Sequence, residues 1–373
     1  MDVAFVSNVV YPFVTGGAEK RIYEIGTRLA ERDHSVTVYG RHYWDGPSET
    51  VYDGLQLHGV SPPRDLYTEG GRRSITEAIE FGKDVLRPLR RSVAEHDVIV
   101  ASVFPYFPVL AAELAVIGSD TPLVTTWHEV WRDYWKEYLG RLGIFGAMVE
   151  QVTARVPQYP IAVSQNTADK LAELGRSREQ IRIIPNGIDY EGIQATEPAE
   201  NGFEVLFVGR LIEPKRVEML LSAFDALNTD ATLGIIGEGP QQEALERQAA
   251  TLESEDRITF CGFIEDHEEV IAQMRAARVF VSPSVREGFG VTYIEAMAAG
   301  CTVIGTKHPN SAAAEVIGDA GFTISPTRNS LREVLRRGLN GERPSKSPQA
   351  AAKQFDWGQI TTNVEDAYLD IVK

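Results

Sequence analysis

A chain of 373 residues exceeds the size at which a single hydrophobic core stops growing, so two domains of ordinary size are expected. Hydrophobic residues make up 43% of it, enough to fill two cores, and no uninterrupted apolar stretch is long enough to span a bilayer, which argues against an integral membrane protein. The net charge of -16 repels polyphosphate backbones and argues against a dedicated nucleic-acid binder.

The opening "MDVAFVSNVVYPF" is apolar but lacks a basic leader and a small-residue cleavage site, so it reads as a buried first strand and not as a signal peptide. Only Cys261 and Cys301 are present, each beside a predicted strand, which makes neither a disulfide framework nor a metal cluster. A reducing, cytoplasmic setting fits. The acidic surplus suits a salt-adapted, halophilic surface and an acidic mesophile equally.

From the N-terminus, "DVAFVSN", "AEKRIYEIGTRLAERD" and "SVTVYG" set a rhythm of short β-branched runs and longer amphipathic stretches. That rhythm predicts α/β architecture, with parallel sheets covered by helices on both faces. Further strands follow at "DVIVAS", "PLVTTW", "IAVSQ" and "IRIIPNG". Then "YEGIQATEPAENG" is polar and without a clear period, and reads as a linker. The rhythm restarts with "FEVLFVG", "ATLGIIG", "ITFCGF", "RVFVSPS" and "TVIGT". The expected organisation is an N-terminal Rossmann-like domain over 1–190, a linker over 191–202 and a C-terminal Rossmann-like domain over 203–355. A final helix over 356–373 packs back across the linker toward the N-terminal domain. Ligands of such sheets bind at the carboxyl ends of strands, so a deep cleft between the domains is the expected site.

Four stretches carry candidate chemistry. Gly16 and Gly17 fall between the first strand and the first helix, where a missing Cβ lets backbone amides approach a phosphate; a plain tight turn explains the pair as well. Glu19 follows in the first helical turn, where it serves the helix dipole. Arg210 and Lys215, in "VGRLIEPK", form either a diphosphate clamp or an exposed charged turn. His128, in "PLVTTWHEVW", stands just past a predicted strand and is either a site residue or a satisfied loop histidine. His34 reads as a turn residue and His267 as part of a helix start.

The fourth stretch is "REGFGVTYIEAMAAG" at 286–300. It follows a buried strand ending near Pro283 and predicts a short helix closed by Gly300, with Glu287 on the loop and Glu295 in the helix. At about 1.5 Å rise per residue both carboxylates can face one small volume. Gly288, Phe289 and Gly290 would expose amides at the positive end of that helix, where a phosphate rests, while the glutamates accept bonds from sugar hydroxyls. Paired carboxylates roughly 5–9 Å apart also suit a glycosidase, but that reading leaves the glycines and the cationic turn without a role. No metal site is expected, since neither Asp-x-Asp nor His-Glu-x-x-His occurs.

Taken in order, "GGAE", "DHSVTVYG", "VSQNTADKL", "IIPNGID", "VGRLIEPK", "IIGEGP", "FCGF" and "REGFGVTYIEAMAAGCTVIGT" run nearly the whole chain. They resemble the family-4 glycosyltransferases of GT-B architecture. The resemblance implies that Glu287 contacts the donor hexose, Glu295 the ribose, and Arg210 and Lys215 the diphosphate. It implies that Gly17 approaches that diphosphate, that His128 touches the donor sugar or acceptor, and that backbone near Phe263 meets the base. Gly16, Gly209 and the loop through Gly290 and Val291 complete the donor site. The family retains anomeric configuration without a metal or cofactor, its co-substrate being a nucleotide-diphosphate sugar. In this sequence "EPK" crowds the family's usual glycine-containing turn.

The acceptor implied is a glycan or a lipid-linked hydroxyl. Residues 127–155 are dense in aromatics with interleaved cations, which suits either a peripheral contact at the inner face of the cell membrane or a buried helix face, since Trp127, Trp131 and Trp135 recur at four-residue steps. The locally basic "GRRSITEAIEFGKDVLRPLRR" suits either anionic lipid or solvent. Two rival readings share the architecture: a non-hydrolysing nucleotide-sugar epimerase and a non-catalytic nucleotide-binding subunit.

Overall fold

A computed structural model describes residues 1–14, 16–66 and 74–373, so the first three residues of the basic stretch at 71–91 lie outside the described residues. The chain divides into two compact units, Met1–Asn186 with Trp357–Lys373, and Gly187–Asp356.

The first unit runs β1 (Asp2–Val6), α1 (Gly17–Ala30), β2 (Ser35–Arg41), β3 (Glu49–Tyr52), β4 (Leu55–Ser61), α2 (Ile75–Ser92), β5 (Val98–Val103) and α3 (Phe107–Val116). It continues with β6 (Leu123–Trp127), α4 (Tyr134–Leu139), α5 (Gly143–Arg155), β7 (Tyr159–Ala162), α6 (Gln165–Glu173) and β8 (Arg182–Ile183). The eight strands order as β3-β4-β2-β1-β5-β6-β7-β8, parallel except for the β3–β4 pair. Alternation along β1 shows why both faces must be covered. Val3 and Phe5 enter a core with Ile25 and Leu29 of α1, while Ala4 and Val6 enter another with Phe81, Val85 and Leu89 of α2.

The second unit runs α7 (Tyr190–Ala195), β9 (Val205–Val208), α8 (Val217–Asp225), β10 (Leu233–Ile236), α9 (Gln242–Ala249), β11 (Ile258–Gly262) and α10 (His267–Ala276). Then come β12 (Val279–Ser282), α11 (Val291–Ala298), β13 (Thr302–Thr306), α12 (Ala313–Ile317), β14 (Phe322–Ile324), α13 (Arg328–Leu339) and α14 (Pro348–Ala352). Its six strands are all parallel in the order β11-β10-β9-β12-β13-β14. Strand order reverses between β9 and β12, so the loops after those two strands flank the crevice at which doubly wound sheets hold ligands. In the first unit the reversal lies between β1 and β5.

Two expectations change. The supposed linker at 191–202 begins inside helix α7, which Asp189 caps by accepting from the Gly192 amide at 2.9 Å and which buries Ile193. Six residues containing a glycine are too short to show a helical period. Asp356, just before the expected final helix, is extended, and its carboxylate accepts from the Tyr190 amide at 3.3 Å. The chain then resumes as α15 (Trp357–Val372), which belongs to the first unit. Trp357, Ile360, Val364, Ala367 and Tyr368 form its buried stripe, and burial of each large one is worth about 1.5–3 kcal/mol. His34 is more than a turn residue: with Arg32 it holds Glu365 of α15, at 2.8 and 2.5 Å.

Candidate active site

In the second unit the loops after β9 and β12 are stitched together. The Val285 amide donates to the Pro214 carbonyl at 2.9 Å, and the Ser284 hydroxyl donates to the same carbonyl at 3.2 Å. Lys215 then pairs with Glu287, the two side chains being only 17% and 12% exposed. The loop after β13 fixes Glu287 from its other side: its amide donates to Asn310 at 3.1 Å and its carbonyl accepts from Ala312 at 2.9 Å. Lys215 and Glu287, 72 residues apart, are thus brought together by the switch point. Arg210 is exposed and has no ion-pair partner among the described residues, so its guanidinium remains available to an anion.

Close approach of backbone explains the glycines here. Gly209 has φ 154° and Gly237 φ 128°, and a Cβ on Gly237 would collide with the Gly209 carbonyl. Interlocking bonds, Gly209 amide to Ile236 at 3.0 Å and Leu211 amide to Glu238 at 2.8 Å, hold the turn. The crowded "EPK" turn forms a short 3-10 segment and closes through Arg216 in the left-handed region at φ 54°.

Helix α11 starts where the spacing placed it. Gly290 is its N-cap at φ 86°, and a Cβ there would stand 2.5 Å from the Tyr293 ring. Val291 opens the helix. The Phe289 side chain is 5% exposed and packs on Phe355 with centroids 5.8 Å apart, so it anchors the loop. Gly288 precedes it on the same loop. Glu295 is 6% exposed and meets Nε2 of His267, at the start of α10, at 3.1 Å. His267 is therefore a neighbour of the site that sequence reading passed over; nothing in "EDHEEV" marks it, because the contact joins two different helices. Phe263 is 62% exposed, and its amide donates to Glu238 at 3.3 Å. Glu238, in "IIGEGP", is a second polar group that the sequence reading left out.

The remaining candidates lie in the first unit. His128 follows β6 and bonds the Ser102 hydroxyl at 3.2 Å. Burial pushes its pKa down to about 3, with the Arg21 charge adding to the shift, so the imidazole is neutral. Arg21 itself is buried and donates to the carbonyls of Pro185 and Ile184 and to Asn186. At the start of α1, Glu19 folds over Gly16: a Cβ on Gly16 would stand 2.6 Å from its carboxylate. The carboxylate thus lies beside the start of α1. Gly17 has open space where its Cβ would be. Trp127, Trp131 and Trp135 do not share a helix face. Trp127 ends β6, Trp131 lies in the following turn and Trp135 sits in α4.

A concavity of about 550 Å³ lies at the amino ends of β2 and β4, lined by His34, Ser35, Gly54 and Gln56. It is at the wrong end of the sheet for a ligand of this architecture. Among the described residues no group of three or more His, Cys, Asp or Glu side chains could hold a metal ion, and no helix is long and apolar enough to cross a membrane.

Two family models divide the chain: Glycosyltransferase Family 4 matches residues 15–191 and Glycosyl transferases group 1 matches residues 191–355. The chain belongs to the family-4 glycosyltransferases of GT-B architecture. It is similar to the glycogen synthase of Mycobacterium tuberculosis, 28% identical over 400 residues, covering 99% of this chain and 94% of the relative. The phosphatidyl-myo-inositol mannosyltransferase of the same organism is 25% identical over 380 residues, covering 95% and 93%. Among solved structures, sucrose-phosphate synthase from Thermosynechococcus elongatus superposes with a TM-score of 0.80 at 20% identity, covering 99% of this chain and 98% of that one. Anabaena HepE in complex with UDP-glucose gives 0.74 at 20% identity, covering 99% and 100%. This glycosyltransferase therefore shares its two-domain, Rossmann-like fold with them.

Proposed function

We propose that this glycosyltransferase moves a hexose from a nucleotide-diphosphate sugar to an acceptor hydroxyl, with retention of anomeric configuration and without metal or cofactor. The observation that carries the reading is the Lys215–Glu287 pair held at the β9/β12 switch point, beside the exposed Arg210 and the start of α11. A cation, a carboxylate and a helix N-terminus within one loop cluster match the three parts of the donor: diphosphate, hexose and the charge between them.

In this mechanism the acceptor oxygen attacks the anomeric carbon on the face from which the diphosphate departs. The bond from that carbon to the phosphate oxygen breaks, and a phosphate oxygen takes the acceptor proton. Arg210, Lys215 and the amides at Gly290 and Val291 stabilise negative charge growing on the leaving group. Glu287 binds hexose hydroxyls and holds Lys215. Glu295, set by His267, takes the ribose. Backbone near Phe263 and Gly209 lines the nucleotide. His128 acts as a neutral hydrogen-bonding group toward sugar or acceptor. The relatives' names include a glycogen synthase and a phosphatidyl-myo-inositol mannosyltransferase, so both a glycan and a lipid-linked hydroxyl are kept as acceptor classes. The site of action is the cytoplasmic side of the cell.

Proton NMR of the product made in excess chelator tests the reading. The expected result is an axial or equatorial anomeric linkage matching the donor's, at an undiminished rate. Inversion, arrest by chelator, or epimerised donor without any acceptor would overturn it.

A further inference from the structure

Helix α5 and the turn before it carry an apolar face that no element among the described residues covers. Leu142, Ile144, Phe145, Met148 and Val152 are each 49–63% exposed, five of the fifteen large exposed hydrophobics among the described residues, and all fall within eleven positions. At about 100° per residue, Ile144, Phe145, Met148 and Val152 share an arc of about 100°. The buried residues Gly143, Glu150, Thr153 and Ala154 point the other way.

That orientation is locked from inside. Glu150 accepts from the Tyr106 hydroxyl at 2.7 Å and from the amides of Trp131 and Arg132 at 2.7 and 2.8 Å. Trp135 of α4 lies against Gly143 and Gly146, where a Cβ on either would collide with it. The helix cannot roll to bury its outer face without breaking a buried carboxylate's bonds.

Charge selects the occupant. Across residues 140–157 the only charged side chains are Arg141, Glu150 and Arg155, and Glu150 is the buried one. In a chain of net charge -16, this face offers water two cations and no anion. Two copies docked on it would oppose like charges, and five side chains on one helix fall short of the roughly 800 Å² per partner that a stable interface buries.

We propose that the outer face of α5 seats in the headgroup layer of an anionic bilayer. Ile144, Phe145, Met148 and Val152 enter the acyl boundary, Leu142 follows at the edge, and Arg141 and Arg155 extend to lipid phosphates. Docking here does not rest on which acceptor the enzyme uses, because it is read by binding and not by turnover.

The test is co-sedimentation of the full chain with vesicles of phosphatidylcholine alone, or with about a third phosphatidylglycerol, at low and high salt. Wild type is expected to bind the anionic vesicles at least about 10-fold more tightly than the neutral ones. Phe145→Glu with Met148→Glu should lower that binding about 10-fold or more, and Arg141→Gln or Arg155→Gln about 5-fold each with a weaker salt dependence. Retained melting temperature and nucleotide binding in each variant exclude misfolding and separate this outcome from failure of the donor assignment. Equal binding to both vesicles, no binding to either, or a wild-type dimer that Phe145→Glu with Met148→Glu converts to monomer would each overturn the proposal.

Discussion

Replacing Lys215 by alanine removes the ammonium that Glu287 holds over the β9/β12 loops. At an effective dielectric near 20, a unit charge about 4 Å from a phosphate oxygen is worth about 4 kcal/mol. Part of that attraction already acts on the bound donor. The share specific to the charge growing on the leaving group is therefore smaller, about 2.7 kcal/mol, a loss of roughly 10²-fold in kcat. Both side chains are less than one-fifth exposed, so screening by solvent removes little of it. Glu287→Gln keeps the shape and removes the charge that positions the ammonium, and a similar loss is expected. Because the two groups touch, their effects are coupled, and the double variant should be no more than about 10-fold worse than the poorer single one. Steady-state transfer rates at saturating donor, with nucleotide binding by calorimetry as the control, measure this. A Lys215→Ala enzyme within about 3-fold of wild type, or strictly additive losses in the double variant, would refute the reasoning.

Glu295→Gln is expected to weaken nucleotide binding about 10-fold or more while changing kcat less, since a ribose contact is equally present in ground and transition states; His267→Ala should shift the same constant in the same direction by a smaller factor, and an unchanged nucleotide Kd in both would remove Glu295 from the ribose. His128 titrates with opposite consequences for the two states of folding. Its folded pKa of about 3 lies below the ordinary value of 6.5, so between those values the unfolded chain binds the extra proton and stability falls as pH falls, by up to about 1.4 kcal/mol per pH unit. Thermal melts across that window should show the slope in wild type and a flatter profile in His128→Asn; identical profiles would show that the imidazole is not held neutral.

Much of this was legible in the amino-acid order, for a local reason. Alternating β-branched runs and amphipathic stretches report which faces are buried, and the seven residues between Glu287 and Glu295, opening with Gly288–Gly290, place one carboxylate before a helix and one inside it. Gly290 at φ 86° and α11 from Val291 follow directly from that text. The short helix α7 was hidden because one buried Ile193 in six residues carries no period. The three tryptophans misled because four-residue spacing is a helical signal only if the residues share a helix, and Trp127 closes a strand.

By itself the sequence determined two doubly wound units and the set of loops that end their strands, since periodicity and turn chemistry are local. Tertiary structure alone decided which groups meet: Lys215 with Glu287, His267 with Glu295, Glu19 over Gly16, and His34 with Glu365. Three of these four contacts join residues from separate elements or loops, and only strand order and helix packing set their distance. The Glu19 contact is local, but whether its carboxylate folds back over Gly16 is a choice of side-chain rotamer that residue order leaves open.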